Sequence, residues 1–225
     1  MDAPSLSEVL ESAARLQEVV PDAVLVGGSA AAWYAHHRDS FDHDHVLDDL
    51  RDRFDAVLDA IERTDGWVTN RVTPGKIILG ELGGIEAGVR QTIRRKPLEV
   101  VEVALPTGRR LRVPTLDEIL RVKAFLVVRR NQTRDFVDVA ALADRTGIDH
   151  AAEVLAAMDA YYADQHGAGD GVASQVARQL AEPRPADART TRELARYKRL
   201  DPRWHDWKAV VDACGAVAER MVVAP

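Results

Sequence analysis

The chain has 225 residues, 46% of them hydrophobic and 29% charged, with a formal net charge of −6, which excludes a disordered or fibrous protein. Its single cysteine, Cys214, excludes an internal disulfide. The apolar stretch at residues 23–35 is shorter than the roughly 20 residues that cross a bilayer. We therefore expect a folded, cytoplasmic protein without a membrane segment.

The first half of the chain alternates between helical and extended patterns. Ser5 or Ser7 is the expected cap of a first helix, and Gly27, Gly28 and Ser29 form a tight turn between a strand and a helix. The first helix is predicted to end before Pro21, with its apolar positions between residues 9 and 19. Further helices are predicted at residues 30–36 and 47–63, and strands at 23–26, 40–46, 67–71, 76–79, 85–91, 100–105 and 110–113. The pattern of this half predicts a sheet flanked by helices.

After Pro114 every periodic segment is helical. Thr115 is the expected cap of the first helix in this half. Helices are predicted at residues 116–130, 134–145, 150–166, 172–181, 187–198 and 203–222, with exposed loops at 167–171 and 183–185. The sequence therefore predicts two domains, residues 1–114 and 115–225, and an α+β fold with an all-helical C-terminal domain.

Charge is distributed unevenly along the chain. Residues 39–65 contain ten acids and three arginines, whereas residues 90–134 contain twelve basic residues and four acids. An acidic stretch that can hold a cation, followed by a basic one that can hold phosphates, suits an enzyme that uses a metal nucleotide. Two solvated charged faces are the alternative.

The segment from Ser40 to Asp44 contains the most informative spacing. In a strand its side chains alternate, so Ser40, Asp42 and Asp44 share one face while His43 and His45 point to the other. Two adjacent carboxylates repel unless a cation offsets them, and hard oxygen ligands suit Mg²⁺. Zinc held by the histidines at 36, 37, 43 and 45 is a weaker alternative, because His36 and His37 diverge on a helix, no cysteine is nearby, and His43 faces away from the aspartates on a strand.

A second group of charged residues lies on the helix after Pro114. Lys123 and Arg130 interrupt its apolar stripe, and Asp135 and Asp138 share one side of the next helix. A cation in an apolar stripe must extend to solvent, pair with an acid or point into a cleft where an anion arrives. An ion pair with one of the two aspartates therefore stays open beside an anion-binding role.

These residues together resemble the AbiEii-type nucleotidyltransferase toxins, which include the mycobacterial MenT toxins and belong to the DNA polymerase β-like superfamily. The resemblance rests on the glycine turn, the aspartate pair and the charged residues of the two helices. It implies a mixed sheet flanked by helices, followed by a helical domain. It also implies a Mg²⁺-dependent transfer of a nucleotide from an NTP to an acceptor, with the tRNA 3′ end the expected acceptor and an antitoxin the expected partner.

The resemblance also assigns roles to individual residues. It places Gly28, Ser29 and Ser40 at the triphosphate, Asp42 and Asp44 at Mg²⁺, and the helical-domain residues Lys123 and Asp138 in the active site. Lys123 would contact the triphosphate, and Asp138 would orient it or the acceptor. The remaining implied phosphate or structural contacts are Arg38, Arg130 and Arg134.

Two questions stay open at the level of sequence. The third metal carboxylate is expected to be Glu86, with Glu102 as the second choice. The acceptor can be RNA, a protein hydroxyl or a small molecule, and a catalytically inactive nucleotide-binding module is a further alternative. Sequence does not indicate which NTP is used.

Overall fold

The computed structural model describes residues 3–165 and 170–223 and divides into two compact units. The first unit comprises Met1–Trp33 and Ser40–Thr115, and the second comprises Tyr34–Asp39 and Leu116–Pro225. The chain changes unit after Thr115, next to the boundary expected from sequence. The short segment Tyr34–Asp39 differs from that expectation, because it belongs to the second unit.

The first unit contains two sheets. Its strands are β1 (Val24–Val26), β2 (Asp42–Leu47), β3 (Trp67–Thr73), β4 (Ile77–Leu82), β5 (Ile85–Gln91), β6 (Val100–Ala104) and β7 (Arg110–Pro114). Five of them form a mixed sheet in the order β1-β2-β5-β4-β3, in which β2 and β5 are parallel and the other neighbours antiparallel. β6 and β7 form a separate antiparallel pair.

Helices α1 (Leu6–Val19) and α3 (Phe54–Glu62) belong to the first unit, and α2 (Gly27–Ala35) begins in it. Ser5 caps α1, and the Glu8 side chain accepts the Ser5 backbone N–H in return, so two terminal donors are satisfied. The apolar sides of α1 and α3 bury a shared core against the sheet. Its fully or nearly buried members include Leu16, Leu47, Leu50, Ile61, Ile78 and Val89.

The second unit is helical. It consists of α4 (Leu116–Arg130), α5 (Thr133–Thr146), α6 (Ile148–Ala156), α7 (Val172–Ala181), α8 (Ala188–Arg192) and α9 (Trp207–Val223), with short 3₁₀ turns between some of them. Phe136 on α5 is fully buried and meets the Trp207 ring edge-on, with 5.9 Å between ring centroids. A mixed sheet with flanking helices and a helical C-terminal region confirms the predicted fold class.

Two predicted helices begin later than expected. The helix predicted at 47–63 begins at Phe54, because Leu47 continues β2 and pairs with Gln91 of β5. The helix predicted at 203–222 begins at Trp207, because Asp206 accepts the Lys208 backbone N–H and starts a new helix.

Two further predicted helices are shorter than expected. The helix predicted at 150–166 ends at Ala156 and is followed by the 3₁₀ turns Met158–Ala160 and Ala163–Gln165. The Asp159 side chain there accepts the Ala173 backbone N–H of α7, a contact that a continuous helix does not predict. The helix predicted at 187–198 is reduced to Ala188–Arg192 and the 3₁₀ turn Leu194–Arg196. Most of the loop predicted at 167–171 lies outside the described residues.

Within the described ranges, every helix is too short or too polar to span a lipid bilayer.

Candidate active site

β2 has one open face and one buried face. Asp42 and Asp44 are partly exposed, whereas His43 and His45 are buried. Burial lowers the pKa of His43 to about 4 and holds the pKa of His45 well below its usual value, so both rings are neutral at pH 7. The side chains therefore alternate as the sequence predicted, and the two histidines are separated from the two aspartates by the sheet.

Glu86 shares the open face with the two aspartates. It lies on β5 directly beside Asp42 in the parallel register, and all three carboxylates line one cavity of about 250 Å³. Glu102, the second choice from sequence, lies on β6 in the separate sheet and pairs there with Arg110. Of the two acids proposed from sequence, Glu86 is therefore the one that lines the cavity of the aspartates.

The glycines at the start of α2 lie beside the same carboxylates. Gly27 begins α2 with φ +75°, and a Cβ atom there would lie 3.5 Å from the Asp44 Cβ. The positive φ favours glycine at position 27, and the distance to Asp44 is that of an ordinary van der Waals contact. The predicted contact of Gly28 with a triphosphate stays a prediction. Gly28 is the second residue of α2.

Two serine hydroxyls hold Asp42 in place. Ser29 Oγ donates to the Asp42 carbonyl oxygen at 2.5 Å, and Ser40 Oγ donates to Asp42 Oδ1 at 3.3 Å. Both hydroxyls are thus engaged with Asp42. Their predicted contacts with a triphosphate stay predictions.

Sequence reasoning missed the basic residues of the cavity. Arg90 on β5 donates from Nε to Asp44 Oδ1 at 3.2 Å, and Arg71 and Asn70 on β3 line the same cavity. Gly88 lies two residues before Arg90, and a Cβ atom at this position would lie 2.7 Å from Asp44 Oδ1, so the Asp44 side chain would have to shift. The alternation of β5 puts Glu86, Gly88 and Arg90 on one face, and this was the available signal.

Asp138 is the centre of a buried charge cluster in the second unit. Arg38 donates to both of its oxygens at 2.8 and 3.0 Å, Lys123 Nζ lies 2.7 Å from Oδ2, and His37 Nε2 lies 2.8 Å from Oδ1. Each of the four side chains is at most 2% exposed.

Ionisation within this cluster follows from its contacts. Burial alone would raise the pKa of Asp138, but the charges of Arg38 and Lys123 hold that pKa well below its usual value. Burial also lowers the pKa of His37, against the opposite effect of Asp138, so the imidazole is neutral. Its Nε2–H donates a hydrogen bond to the Asp138 carboxylate. The structure therefore shows an ion pair between Lys123 and Asp138. The predicted roles of both residues at the triphosphate or the acceptor stay predictions.

The other two arginines predicted at phosphate differ from each other. Arg130 makes a bidentate pair with the fully buried Asp135, with both N–O distances 2.7 Å. Arg134 is partly buried, and its Nε has no hydrogen-bond partner among the described residues. Arg130 is thus engaged in a structural pair, and the phosphate role of Arg134 stays a prediction.

A larger cavity, of about 470 Å³, lies in the first unit at the C-terminal end of β2. Its carboxylates include Asp22 and Asp49, and Arg53 pairs with both at 3.0 and 2.8 Å. Both cavities therefore contain carboxylates, and the smaller one contains the aspartate pair that the sequence predicted as metal ligands.

The donor chemistry of the smaller cavity fits a magnesium ion. No group of three or more His, Cys, Asp or Glu side chains in residues 3–165 and 170–223 is arranged to hold a metal. Proteins usually bind Mg²⁺ through one or two carboxylates, and water and substrate phosphates complete the coordination. Asp42 and Asp44, with room beside them at Gly88, meet that requirement.

Among curated proteins, the chain resembles part of much longer ones. It is 33% identical over 204 residues to the heme uptake protein MmpL11 of Mycobacterium tuberculosis (strain ATCC 25618 / H37Rv), covering 80% of this chain and 19% of that protein. It is 40% identical over 129 residues to the mycolic acid-containing lipids exporter MmpL11 of Mycolicibacterium smegmatis, covering 57% of this chain and 13% of that protein. The chain thus spans less than a fifth of the length of these relatives.

Two solved structures are similar to this chain. The crystal structure of a protein from H. pylori assigned as a nucleotidyltransferase matches 96% of this chain and 92% of its own, with a TM-score of 0.52 and 17% identity. The solution structure of the antibiotic-resistance factor ANT(2'')-Ia matches 71% of this chain and 94% of its own, with a TM-score of 0.49 and 15% identity. At these identities the H. pylori likeness shows the fold alone.

The family itself is shown by a match along most of the chain. The family model of the nucleotidyl transferase AbiEii toxin of type IV toxin-antitoxin systems matches residues 10–216. This range contains the glycines at the start of α2, the three carboxylates of the cavity and the buried cluster of Asp138. The chain belongs to the AbiEii nucleotidyltransferase toxin family.

Proposed function

We propose that this chain is a nucleotidyltransferase that uses Mg²⁺ and transfers a nucleoside monophosphate from an NTP to the 3′ end of tRNA. The observation that carries the proposal is the convergence of Asp42, Asp44 and Glu86 on one cavity that Arg71 and Arg90 also line. Carboxylates and guanidinium groups together suit a metal triphosphate, because the former hold the cation and the latter the phosphate oxygens.

Each group of the cavity has a role in the proposed reaction. The acceptor hydroxyl attacks the α-phosphorus in line, a new O–P bond forms, and the bond to the β-phosphate oxygen breaks to release pyrophosphate. Asp42 and Asp44 hold Mg²⁺, which when bound stabilises charge on the attacking and leaving oxygens. Glu86, exposed beside Asp42, is the group that we assign to the proton of the attacking hydroxyl.

Polynucleotide binding is supported by the positive side chains at the cavity. Phosphate contacts dominate the affinity of nucleic-acid complexes and come mostly from Arg and Lys. Arg71 and Arg90 are exposed at the cavity and offer such contacts. Because the family is one of type IV toxin-antitoxin toxins, we also propose that a cognate antitoxin counteracts this protein.

The test is a labelling experiment with each of the four α-³²P-labelled NTPs, Mg²⁺ and total RNA or cell lysate. We expect label in the tRNA fraction, and Asp42→Asn reduces it by more than about 100-fold, because loss of a direct ligand exceeds the 10–100-fold effect of outer-shell partners. The matched control is Asp55→Asn, an exposed acid of α3 that leaves labelling unchanged.

The destination of the label distinguishes the alternatives. Label in protein or in small molecules, with tRNA unlabelled, contradicts the RNA acceptor but keeps the transfer reaction. Equal labelling with Mg²⁺ and with excess chelator contradicts the metal requirement.

A further inference from the structure

The contact between Arg90 and Asp44 occupies an atom that the proposed metal site needs. Arg90 Nε lies 3.2 Å from Asp44 Oδ1, and the two side chains are 45% and 32% exposed. Oδ1 is also the atom for which Gly88 leaves room. A guanidinium therefore stands where the carboxylate would otherwise face an incoming cation.

The sheet geometry directs this contact. Arg90 is paired with Val46 in the parallel register, and Asp44 is paired with Gly88. Arg90 thus reaches diagonally past Gly88, which has no side chain, to the carboxylate of Asp44. Asp44 lies two residues before Val46, the partner of Arg90. The contact follows from the strand register and does not depend on a mobile loop.

The charge of Arg90 cannot be removed by deprotonation, because a guanidinium stays protonated at any physiological pH. A metal ion can therefore gain full access to Asp44 only if the guanidinium moves away. Arg71 lines the same cavity but makes no ion pair in the part of the chain that the structure describes. Arg90 is thus the cavity arginine that contacts a proposed metal ligand.

We propose that Arg90 competes with the divalent cation for Asp44 and that, once displaced, its guanidinium binds the phosphate groups of the nucleotide. This inference rests on the proposed magnesium site. It makes the binding of metal and of nucleotide cooperative, since the metal releases the arginine and the phosphate gives the released arginine a new partner.

The first test measures Mn²⁺ binding to the full chain without nucleotide, by calorimetry or from the electron paramagnetic resonance signal of the free ion. Arg90→Ala is expected to tighten Mn²⁺ binding about two- to fivefold, because the free energy of a partly exposed ion pair corresponds to a factor of this size in the dissociation constant. Arg71→Ala, which removes the same charge from the same cavity without breaking a carboxylate contact, is expected to change binding less than Arg90→Ala does. A variant that merely disturbs the structure would weaken metal binding. A gain in Mn²⁺ affinity larger than that of Arg71→Ala therefore indicates competition between Arg90 and the metal.

The second test measures inorganic triphosphate binding in the presence of saturating Mn²⁺. Arg90→Ala is expected to weaken it by about tenfold or more, the effect of losing a hydrogen bond to a charged group. Arg90→Lys keeps the charge but not the planar donor geometry, and its triphosphate affinity is expected to fall between those of the wild type and Arg90→Ala.

The outcomes separate this inference from the function on which it rests. If Asp44→Asn binds Mn²⁺ as well as the wild type, the proposed metal site is wrong. If Asp44→Asn loses binding but Arg90→Ala binds Mn²⁺ no more tightly than the wild type, the metal site stands and the competition is refuted. If Arg90→Ala tightens Mn²⁺ binding and leaves triphosphate binding unchanged, the phosphate role is refuted.

Discussion

Carboxylates in the two units of this protein are neutralised in different ways. In the second unit Asp138 is fully buried, and three cationic or donor side chains surround it at 2.7–3.0 Å. In the first unit Asp42, Asp44 and Glu86 line an open cavity with a single arginine in contact with Asp44. A buried carboxylate surrounded by cationic and donor groups supports the fold, whereas carboxylates that line an open cavity are accessible to an external cation.

The largest effect expected from this comparison concerns Asp138→Asn. The substitution leaves Arg38 and Lys123 buried without their anion, so it is expected to lower the free energy of unfolding by about 3–5 kcal/mol. Urea denaturation followed by circular dichroism measures it.

The matched control for Asp138→Asn is Asp144→Asn in the same unit. Asp144 pairs with Arg203 near the surface, where the pair contributes about 0–1 kcal/mol. Equal destabilisation by the two substitutions would contradict the distinction between buried and open carboxylates. A stable Asp138→Asn that fails to use NTP would instead support the active-site role predicted from sequence for Asp138.

A smaller effect is expected from Gly88→Ala, which tests the space beside Asp44. The new Cβ would lie 2.7 Å from Asp44 Oδ1 and 2.9 Å from Leu79 Cδ2, so both side chains must move. We expect a stability loss of about 1–3 kcal/mol and weaker Mn²⁺ binding, measured by thermal denaturation and calorimetry.

Gly215→Ala on α9 is the control for this glycine, because a Cβ atom at Gly215 would meet no heavy atom of the surrounding structure within 4 Å. It is expected to stabilise the helix by about 1 kcal/mol. Unchanged metal affinity in Gly88→Ala would show that the position of the Asp44 carboxylate does not matter for the metal.

The smallest effect concerns pH and the buried face of β2. The pKa of His43 is about 4 in the folded chain, below its unfolded value of about 6.5, so the unfolded chain binds more protons between these values. The contribution of His43 is fully present above pH 6.5 and is lost as pH falls. Between pH 7.5 and 5.5 we expect a loss of about 1 kcal/mol, measured by urea denaturation at both pH values.

His43→Gln separates this contribution from that of other groups. Gln retains a donor for Ser12, whose Oγ lies 3.0 Å from His43 Nε2, but it does not titrate. The variant is expected to lose less stability on acidification than the wild type. The buried His45 continues to contribute, so some dependence on pH remains.

Local sequence patterns predicted the site well where one strand contains it. The alternation of residues 40–46 placed Asp42 and Asp44 on one face and His43 on the other, as observed. The sequence also predicted a change from strand to helix at these glycines, but Gly27, Gly28 and Ser29 are the first residues of α2 and not a separate turn before it. These features depend on the period of a strand and on the conformational freedom of glycine, which are local properties.

Contacts between distant residues could not be predicted in this way. The choice between Glu86 and Glu102 depended on which strand pairs with β2, and the contact of Arg90 with Asp44 spans 46 positions of sequence. Sequence left three alternatives for Lys123; the structure shows an ion pair with Asp138, and the contact of Lys123 with a triphosphate stays a prediction. His37 was missed as a partner of Asp138, because nothing in its local pattern indicates a residue 101 positions away.

The sequence by itself determined which side chains share the open face of β2, and it determined a change from strand to helix at the glycines beside them, because both follow from backbone geometry over a few residues. Tertiary structure decided which charges are neutralised internally. Burial and the order of the strands set those partners: Asp138 receives Arg38, Lys123 and His37, whereas Asp42 and Glu86 lie on an open cavity. The reason is that desolvation and pairing depend on which distant surfaces pack together, which no local pattern specifies.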